Sequence, residues 1–401
     1  MTSQQSRLPP VVYAVLLTTL FVFMAHNLAL SALQDFAKHV VGNESSLGLS
    51  FGVFAMSAVI FRLLSGKILG KVNDALVLTA GALLLVLSFG AYYVVMQEHL
   101  LYSVRALHGL GWAFTTVALA TVLARAAPPS RMGFVMGVFA ATNYVTMIVF
   151  PSVGSSLVTS LTDEAFRSLF IYTILLSILV LPCSMLVWYR TRGPTLFGLG
   201  SRGGLISRPA LKPTLSAFLM CLGFGAVLSY TPTIAVMHGS DNPGLFISVL
   251  AAGQLVAAAI GGPLSDRRGY SALATLGCLM TSVGLVIAAI GTDMLTYVVS
   301  AAIFGLGLGL ATVTLNALAA LAVPQSEKPH AMATLSAGFD GGITIGAFSV
   351  PILLGFGLTT AGALLVSAVL VMSALANHSP IRSLETHARS VAPEQYQVPS
   401  A

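Results

Sequence analysis

The chain has 401 residues, 56% of them hydrophobic and only 8% charged, far below the ~25% charged usual in soluble domains. That composition excludes an ordinary water-soluble enzyme or binding domain. The formal charge of +6 would suit an anionic partner in a soluble protein, but here its distribution marks topology, and nucleic-acid binding is not needed to explain it.

Apolar runs recur from end to end, each long enough to cross a hydrocarbon core of ~30 Å. Twelve spans are expected, at about 11–36, 46–66, 75–96, 100–123, 132–158, 167–189, 213–236, 244–264, 271–291, 294–322, 331–355 and 358–377. The first run is too long for a cleavable signal peptide and no small-residue cleavage site follows it, so it is read as the first span. The termini and the loops sharing their side carry Arg7, Lys67, Lys71, Arg125, Arg131, Arg190, the cations of the 191–212 stretch, Arg267, Arg268, Lys328, Arg382 and Arg389. The opposite loops offer only Lys38 and Arg167, so both termini are expected in the cytoplasm. Cys183, Cys221 and Cys278 fall in separate spans, which suggests neither a disulfide framework nor a metal site.

The ionisable residues inside spans are few, and in lipid such residues mark paths for protons, ions or substrate. In chain order they begin with His26 and with Asp35 at the outer end of the first span; Asn27, next to His26, is a polar uncharged candidate for the cavity. Arg62 precedes Gly66 by one turn in the second span. Arg105 and His108 lie in the fourth, about 8 and 12 Å below its outer end at ~1.5 Å per residue, and His26 comes out about 15 Å deep. His26 and His108 are therefore expected at one level of a cavity. Asn143 and Tyr144 in the fifth span, Tyr230 in the seventh and Gln254 in the eighth are polar candidates for a substrate path, or for glue between helices. Asp340 stands in the Gly-rich eleventh span, Gly338-Phe339-Asp340-Gly341, where a carboxylate must be protonated, paired or next to water.

An internal repeat runs through the chain. An offset of 196 relates Gly66 to Gly262, Gly109-Leu-Gly111 to Gly305-Leu-Gly307 and Pro128 to Pro324. Beyond that loop the offset becomes 200, relating Met132 to Met332, Phe139 to Phe339 and Pro151 to Pro351, as a four-residue insertion would require. Two six-helix halves are expected, 1–190 and 213–380, joined by a cytoplasmic linker over 191–212 and followed by a disordered tail over 381–401. Asp340 has Ala140 as its repeat mate, so the carboxylate is an addition to a shared helix.

The segment Gly262-Pro-Leu-Ser-Asp266-Arg267-Arg268-Gly269 resembles the Gly-x-x-x-Asp-Arg-x-Gly loop of the major facilitator superfamily, and the likeness extends over the chain. The resemblance implies an all-α membrane protein of twelve helices in two pseudo-symmetric halves. It also implies a gate in which Asp266 caps a helix N-terminus or pairs with an Arg, beside Arg267. The first-half copy departs from the pattern: Gly70 stands where the family has Asp, and Asp74 comes four residues late. Arg62 resembles a residue of exporter-like branches, while Arg105-Ala-Leu-His108-Gly109-Leu-Gly111 resembles a motif associated with proton transfer. Asp35 sits where family antiporters carry an acid, and the Asp340 segment resembles exporters of sugars and small chelating metabolites. Phe150-Pro151-Ser-Val-Gly154 keeps only part of the antiporter motif of the fifth span.

The expectation is a monomeric proton-coupled exporter of a small polar or anionic solute in the bacterial inner membrane, contacting lipid and protons. Asp340, His26, His108 and Asp35 would handle protons. Arg105, Asn27, Asn143, Tyr144, Tyr230 and Gln254 would line the substrate path. Gly66, Arg62, Asp266 and Arg267 would form the gate. A proton symporter importing a similar solute is the alternative. No phosphate-binding Gly-rich loop ending in Lys-Ser/Thr and no His-x-x-x-His pair occurs, so no ATP site, cofactor, metal or enzymatic activity is expected.

Overall fold

The computed structural model describes residues 8–41, 45–69, 71–191, 204–240 and 243–391. Among these the chain is helical and holds no strand. The helices are α1 (Pro10–Leu30), α2 (Leu33–Val41), α3 (Ser45–Leu69), α4 (Asp74–Val94), α5 (Glu98–Ala126), α6 (Met132–Leu157), α7 (Asp163–Ile178) and α8 (Val180–Arg190). They continue as α9 (Leu211–Met237), α10 (Pro243–Arg268), α11 (Tyr270–Ile290), α12 (Met294–Leu321), α13 (Lys328–Gly355), α14 (Thr360–Ser373) and α15 (His378–Val391). Twelve helical stretches among the described residues are long and apolar enough to cross a membrane. Helices suit that task because each satisfies its own backbone polar groups where lipid offers none.

Polar residues at the loops start the helices. The Asn73 side chain accepts from the Ala75 N–H at 2.9 Å, and the Thr359 hydroxyl from the Gly362 N–H at 3.1 Å. Asp293 opens α12 with a capping box, its carboxylate accepting from the Thr296 N–H at 2.8 Å. That bond holds the exposed Asp293 carboxyl below the ordinary carboxylate range.

The chain differs from the sequence expectation at both ends. The first apolar run is broken: α1 stops at Leu30, a turn follows, and α2 restarts at Leu33. The Ser31 hydroxyl donates to the Leu28 carbonyl at 2.7 Å, and Gly154 of α6 packs directly against that serine. At the other end, α15 occupies 378–391, where a disordered tail was expected from 381. Its Ile381, Leu384 and Ala388 are buried while Arg382, Ser383, Thr386 and His387 are exposed. A short amphipathic helix of this kind is stabilised by what it packs on, which composition does not reveal. Residues 392–401 of the expected tail, and Gly70, lie outside the described residues.

The chain divides into two compact units. The first comprises Met1–Pro129, Val149–Leu205 and Gln325–Ala333; the second comprises Ser130–Ile148, Ile206–Pro324 and Thr334–Ala401. The same packing device builds both. In the first, a side chain on Gly109 of α5 would strike the Phe54 carbonyl of α3, and one on Gly111 would meet the Leu85 N–H of α4. In the second, Gly305 of α12 abuts the Leu250 carbonyl of α10, and Gly307 abuts the Thr281 N–H of α11. Every residue in these contacts is carried into its counterpart by the offset of 196, Phe54 to Leu250 and Leu85 to Thr281 included. Small residues at these crossings let the backbones close up where lipid provides no hydrophobic drive for association.

The Gly-rich run of α13 has a similar purpose in the second unit. Gly338, Gly342 and Gly346 recur every four residues and lie against Thr214, Phe218 and Leu222 of α9, also every four. Asp340 is two residues from both Gly338 and Gly342, so it projects from the far side of α13, roughly 160–200° round at ~100° per residue.

Candidate functional site

A chain of hydrogen-bonding side chains runs through the interior of the first unit. Nδ1 of His26 on α1 lies 3.4 Å from Nε2 of His108 on α5, and Nδ1 of His108 lies 3.3 Å from the Tyr92 hydroxyl on α4. All three residues are buried. If Tyr92 donates to His108, then His108 carries its proton on Nε2 and donates to His26. Reversing each bond gives the opposite order, so the three groups support two donor directions.

Aromatic rings fix these imidazoles. His26 stacks on Trp112 with centroids 3.8 Å apart, and His108 lies 4.9 Å from Phe54 and 5.0 Å from Phe89. The Gly109 contact with the Phe54 carbonyl is what brings α3 close enough for that ring to reach His108. Arg105, one turn before Gly109, is also buried. Its Nε donates to the Ser50 carbonyl at 3.0 Å and its guanidinium sits 4.8 Å over Phe54, whereas Nη1 has no hydrogen-bond partner among the described residues. A buried donor left unpaired costs about 1–3 kcal/mol. Asn27 is buried beside His26 in sequence. Asp35 is not brought into the cluster: it is exposed in the first turn of α2, because the break after Leu30 carries it off α1. Tyr92 and Trp112, which complete the cluster, carry no local sequence signal.

A second polar cluster in the first unit closes the end of α5. Arg62 is buried and donates from Nη1 to the Thr116 hydroxyl at 3.0 Å, so it does not snorkel. Asp74, displaced from the family pattern, forms a fully buried ion pair with Arg125. Arg125 Nε also donates to the Gln325 carbonyl at 3.2 Å, and Lys328 Nζ to the Ala124 carbonyl at 2.6 Å. Arg125 and Lys328 read as loop cations in the sequence; the structure buries both, where they meet a carboxylate and the C-terminal carbonyls of α5. Gln325 and Lys328, in the stretch across which the repeat offset changes, supply two of these contacts. Gly66 of α3 packs on Ala333 and the Pro329 carbonyl, which leaves no space for a side chain.

In the second unit the repeat mate of that contact has different chemistry. Gly262 of α10 packs on the Gly133 carbonyl at the start of α6. One turn later Asp266 accepts from the Gly133 and Phe134 N–H groups at 2.7 and 2.9 Å, and from the Tyr270 hydroxyl at 2.7 Å. Of the two alternatives read from the motif, the structure has the cap: the carboxylate sits on the N-terminal amides of α6. Arg267 is exposed and takes no part in it.

The remaining candidates are dispersed through the second unit. Asp340 is half-buried on α13, and Asn143 is half-buried on α6. Tyr144 is buried against Ala258 and Val313. Tyr230 packs against an apolar cluster of Ala226, Val350 and Ala363. Gln254 is buried with Oε1 unpartnered among the described residues, its backbone in contact with Gly309. No group of three or more metal-ligating side chains occurs among the described residues.

The major facilitator superfamily model matches residues 15–347 and again 214–391. The quinolone resistance protein NorA of Staphylococcus aureus (strain MRSA252) is 27% identical over 184 residues, 44% of this chain. That match spans 47% of NorA, about half its length. Among solved structures, a bacterial homologue of the iron transporter ferroportin in its outward-facing state aligns over 93% of this chain and 99% of its own, with TM-score 0.75 and 14% identity. The Escherichia coli fucose:proton symporter FucP aligns over 93% and 98%, with TM-score 0.73 and 15% identity. A family match over most of the length, on a framework of twelve membrane-length helices with a repeated glycine packing, means that the chain belongs to the major facilitator superfamily.

Proposed function

We propose that the chain is a secondary active transporter that exports a small polar or anionic solute, of the class of sugars, metallophores or drugs, in exchange for protons. The observation that carries this reading is the Tyr92–His108–His26 chain beside Arg105 inside membrane-length helices. Protonatable groups buried at membrane depth are expensive, and a hydrogen-bonded chain with two donor orders is suited to passing a proton. The partial likeness to a quinolone resistance protein favours export.

In this reading Asp340 takes the coupling proton with His26 and His108, and Arg105 provides fixed positive charge for an anionic substrate group or a neighbouring acid. A guanidinium offers a planar fork matched to carboxylate. Asn27, Asn143, Tyr144 and Gln254 contribute polar groups to the path. In the same reading the two six-helix halves, 1–190 and 213–380, carry out alternating access, with the Asp266 cap on α6 and the Gly66 contact made and broken in each cycle. The protein acts as a monomer in the bacterial inner membrane, with both termini in the cytoplasm.

The test is transport by reconstituted vesicles of both orientations across an imposed pH gradient, with a solute panel that includes quinolones. Export predicts uptake into inverted vesicles that are acidic inside, while symport predicts uptake driven by protons moving with the solute. Asp340→Asn should abolish concentrative transport and leave solute exchange intact. A variant that still concentrates solute against its gradient removes Asp340 from the coupling step.

A further inference from the structure

The helix that ends the described chain reaches the gate residue through one tyrosine. Both carboxylate oxygens of Glu385 on α15 are spent on the start of α11: Oε1 accepts from the Tyr270 N–H and Oε2 from the Ser271 N–H, each at 2.9 Å. Gly269 precedes them with φ +104°, and a Cβ there would come within 2.8 Å of Glu385 Oε1, so only glycine permits both the turn and the approach. Arg389, one turn further along α15, donates from Nε to Glu385 Oε1 at 3.0 Å and lies 5.8 Å from the Tyr270 ring. The Tyr270 hydroxyl then donates to Asp266 Oδ1, the same oxygen that accepts from the Gly133 N–H. Tyr270 is thus held by its amide, its ring and its hydroxyl.

We infer that Glu385 is a positioning residue for the Asp266 cap, acting through Tyr270, and that α15 is a strap that sets how firmly α10 holds the start of α6. The inference rests on the proposal that the Asp266 contact opens during transport. Its physical basis is the geometry of the carboxylate. Asp266 needs Oδ1 and Oδ2 aimed at two successive amides, and the phenol is the donor that fixes its orientation from the opposite side. Remove Glu385 and the start of α11 loses the acceptor for two N–H groups; the phenol is then free to move off Asp266. The buried Ile381, Leu384 and Ala388 hold α15 in place, so the effect of Glu385 is separable from docking of the helix.

The experiment is hydrogen–deuterium exchange on the full chain in lipid nanodiscs, read at the 133–134 amides and the 270–271 amides. Glu385→Ala should accelerate exchange at both pairs. At 133–134 the expected gain is about 10- to 100-fold, the equivalent of one hydrogen bond to a charged group. Tyr270→Phe should accelerate 133–134 while sparing 270–271. The deciding variant combines them: adding Glu385→Ala to Tyr270→Phe should leave 133–134 no faster than Tyr270→Phe alone. A further acceleration at 133–134 in the double variant would show that Glu385 acts through general loosening and would overturn the inference. Glu385→Gln, which keeps the shape, serves if the alanine variant does not fold. Transport by Asp266→Ala separates the two layers: unchanged turnover there removes the gate reading, while the exchange pattern still tests the positioning.

Discussion

At the scale of single residues, the Asp74–Arg125 pair is a buried contact outside the proposed proton path. Both side chains are wholly buried, so neither is screened, and the pair has small net value against apolar residues of equal volume. Breaking it is another matter. Asp74→Asn should destabilise the protein by about 3–5 kcal/mol, because Arg125 keeps its charge without a counter-charge. Replacing both together, Asp74→Leu with Arg125→Met, should recover most of the loss in thermal unfolding followed in detergent. If the double variant unfolds no later than the single one, the cost lies in packing rather than in charge. Such residues differ in how visible they are before folding. The meeting of His26 and His108 is legible from counting helical rise along two spans. Tyr92 is not, since nothing local ties α4 to a histidine 16 residues on in the chain. Arg125 and Lys328 mislead for a related reason: a cation near the end of an apolar run looks solvated until the carbonyls and the carboxylate that surround it are known.

At the scale of elements, glycine spacing determines which helices touch. The stripe Gly338, Gly342 and Gly346 leaves no room for a methyl group against α9, whereas Gly90 on α4 has nothing within 4 Å of its Cβ position. The same substitution should therefore have opposite signs at two sites. Gly346→Ala pushes into the Leu222 carbonyl and should cost about 1–3 kcal/mol. Gly90→Ala should be neutral or gain about 0.5–1 kcal/mol from helix propensity. Unfolding midpoints of the two variants, measured side by side, check the contrast; equal shifts would mean that α9 yields to the added methyl. The repeat offset made the crossings at Gly109 and Gly305 legible as a pair, because identical spacing implies identical contact. The α15 helix was not legible. Its 14 residues are mostly polar, and its buried Ile381, Leu384 and Ala388 have meaning only once the helix lies against α11, α12 and α9.

At the scale of the whole molecule, twelve membrane-length helices follow from the length and spacing of the apolar runs, because lipid leaves a chain this apolar few other options. The grouping into compact units does not follow from the repeat. Residues 130–148 cluster with the second unit and 325–333 with the first, since tertiary contact at Gly262 and Gly66 outweighs chain continuity. The proposed orientation is open to direct measurement. A single cysteine replacing the exposed Arg267 should react with a membrane-impermeant maleimide in inverted vesicles and stay unlabelled in intact cells. Labelling in intact cells would reverse the topology. The link from Glu385 through Tyr270 to Asp266 carries a thermodynamic obligation as well. Coupling between two sites is reciprocal, so by whatever free energy docked α15 strengthens the Asp266 cap, the intact cap strengthens the docking of α15. The last described helix is then a meter as well as a strap: a probe at Ser383, on its exposed face, would follow the Asp266 cap without occupying the buried contacts that Glu385 makes.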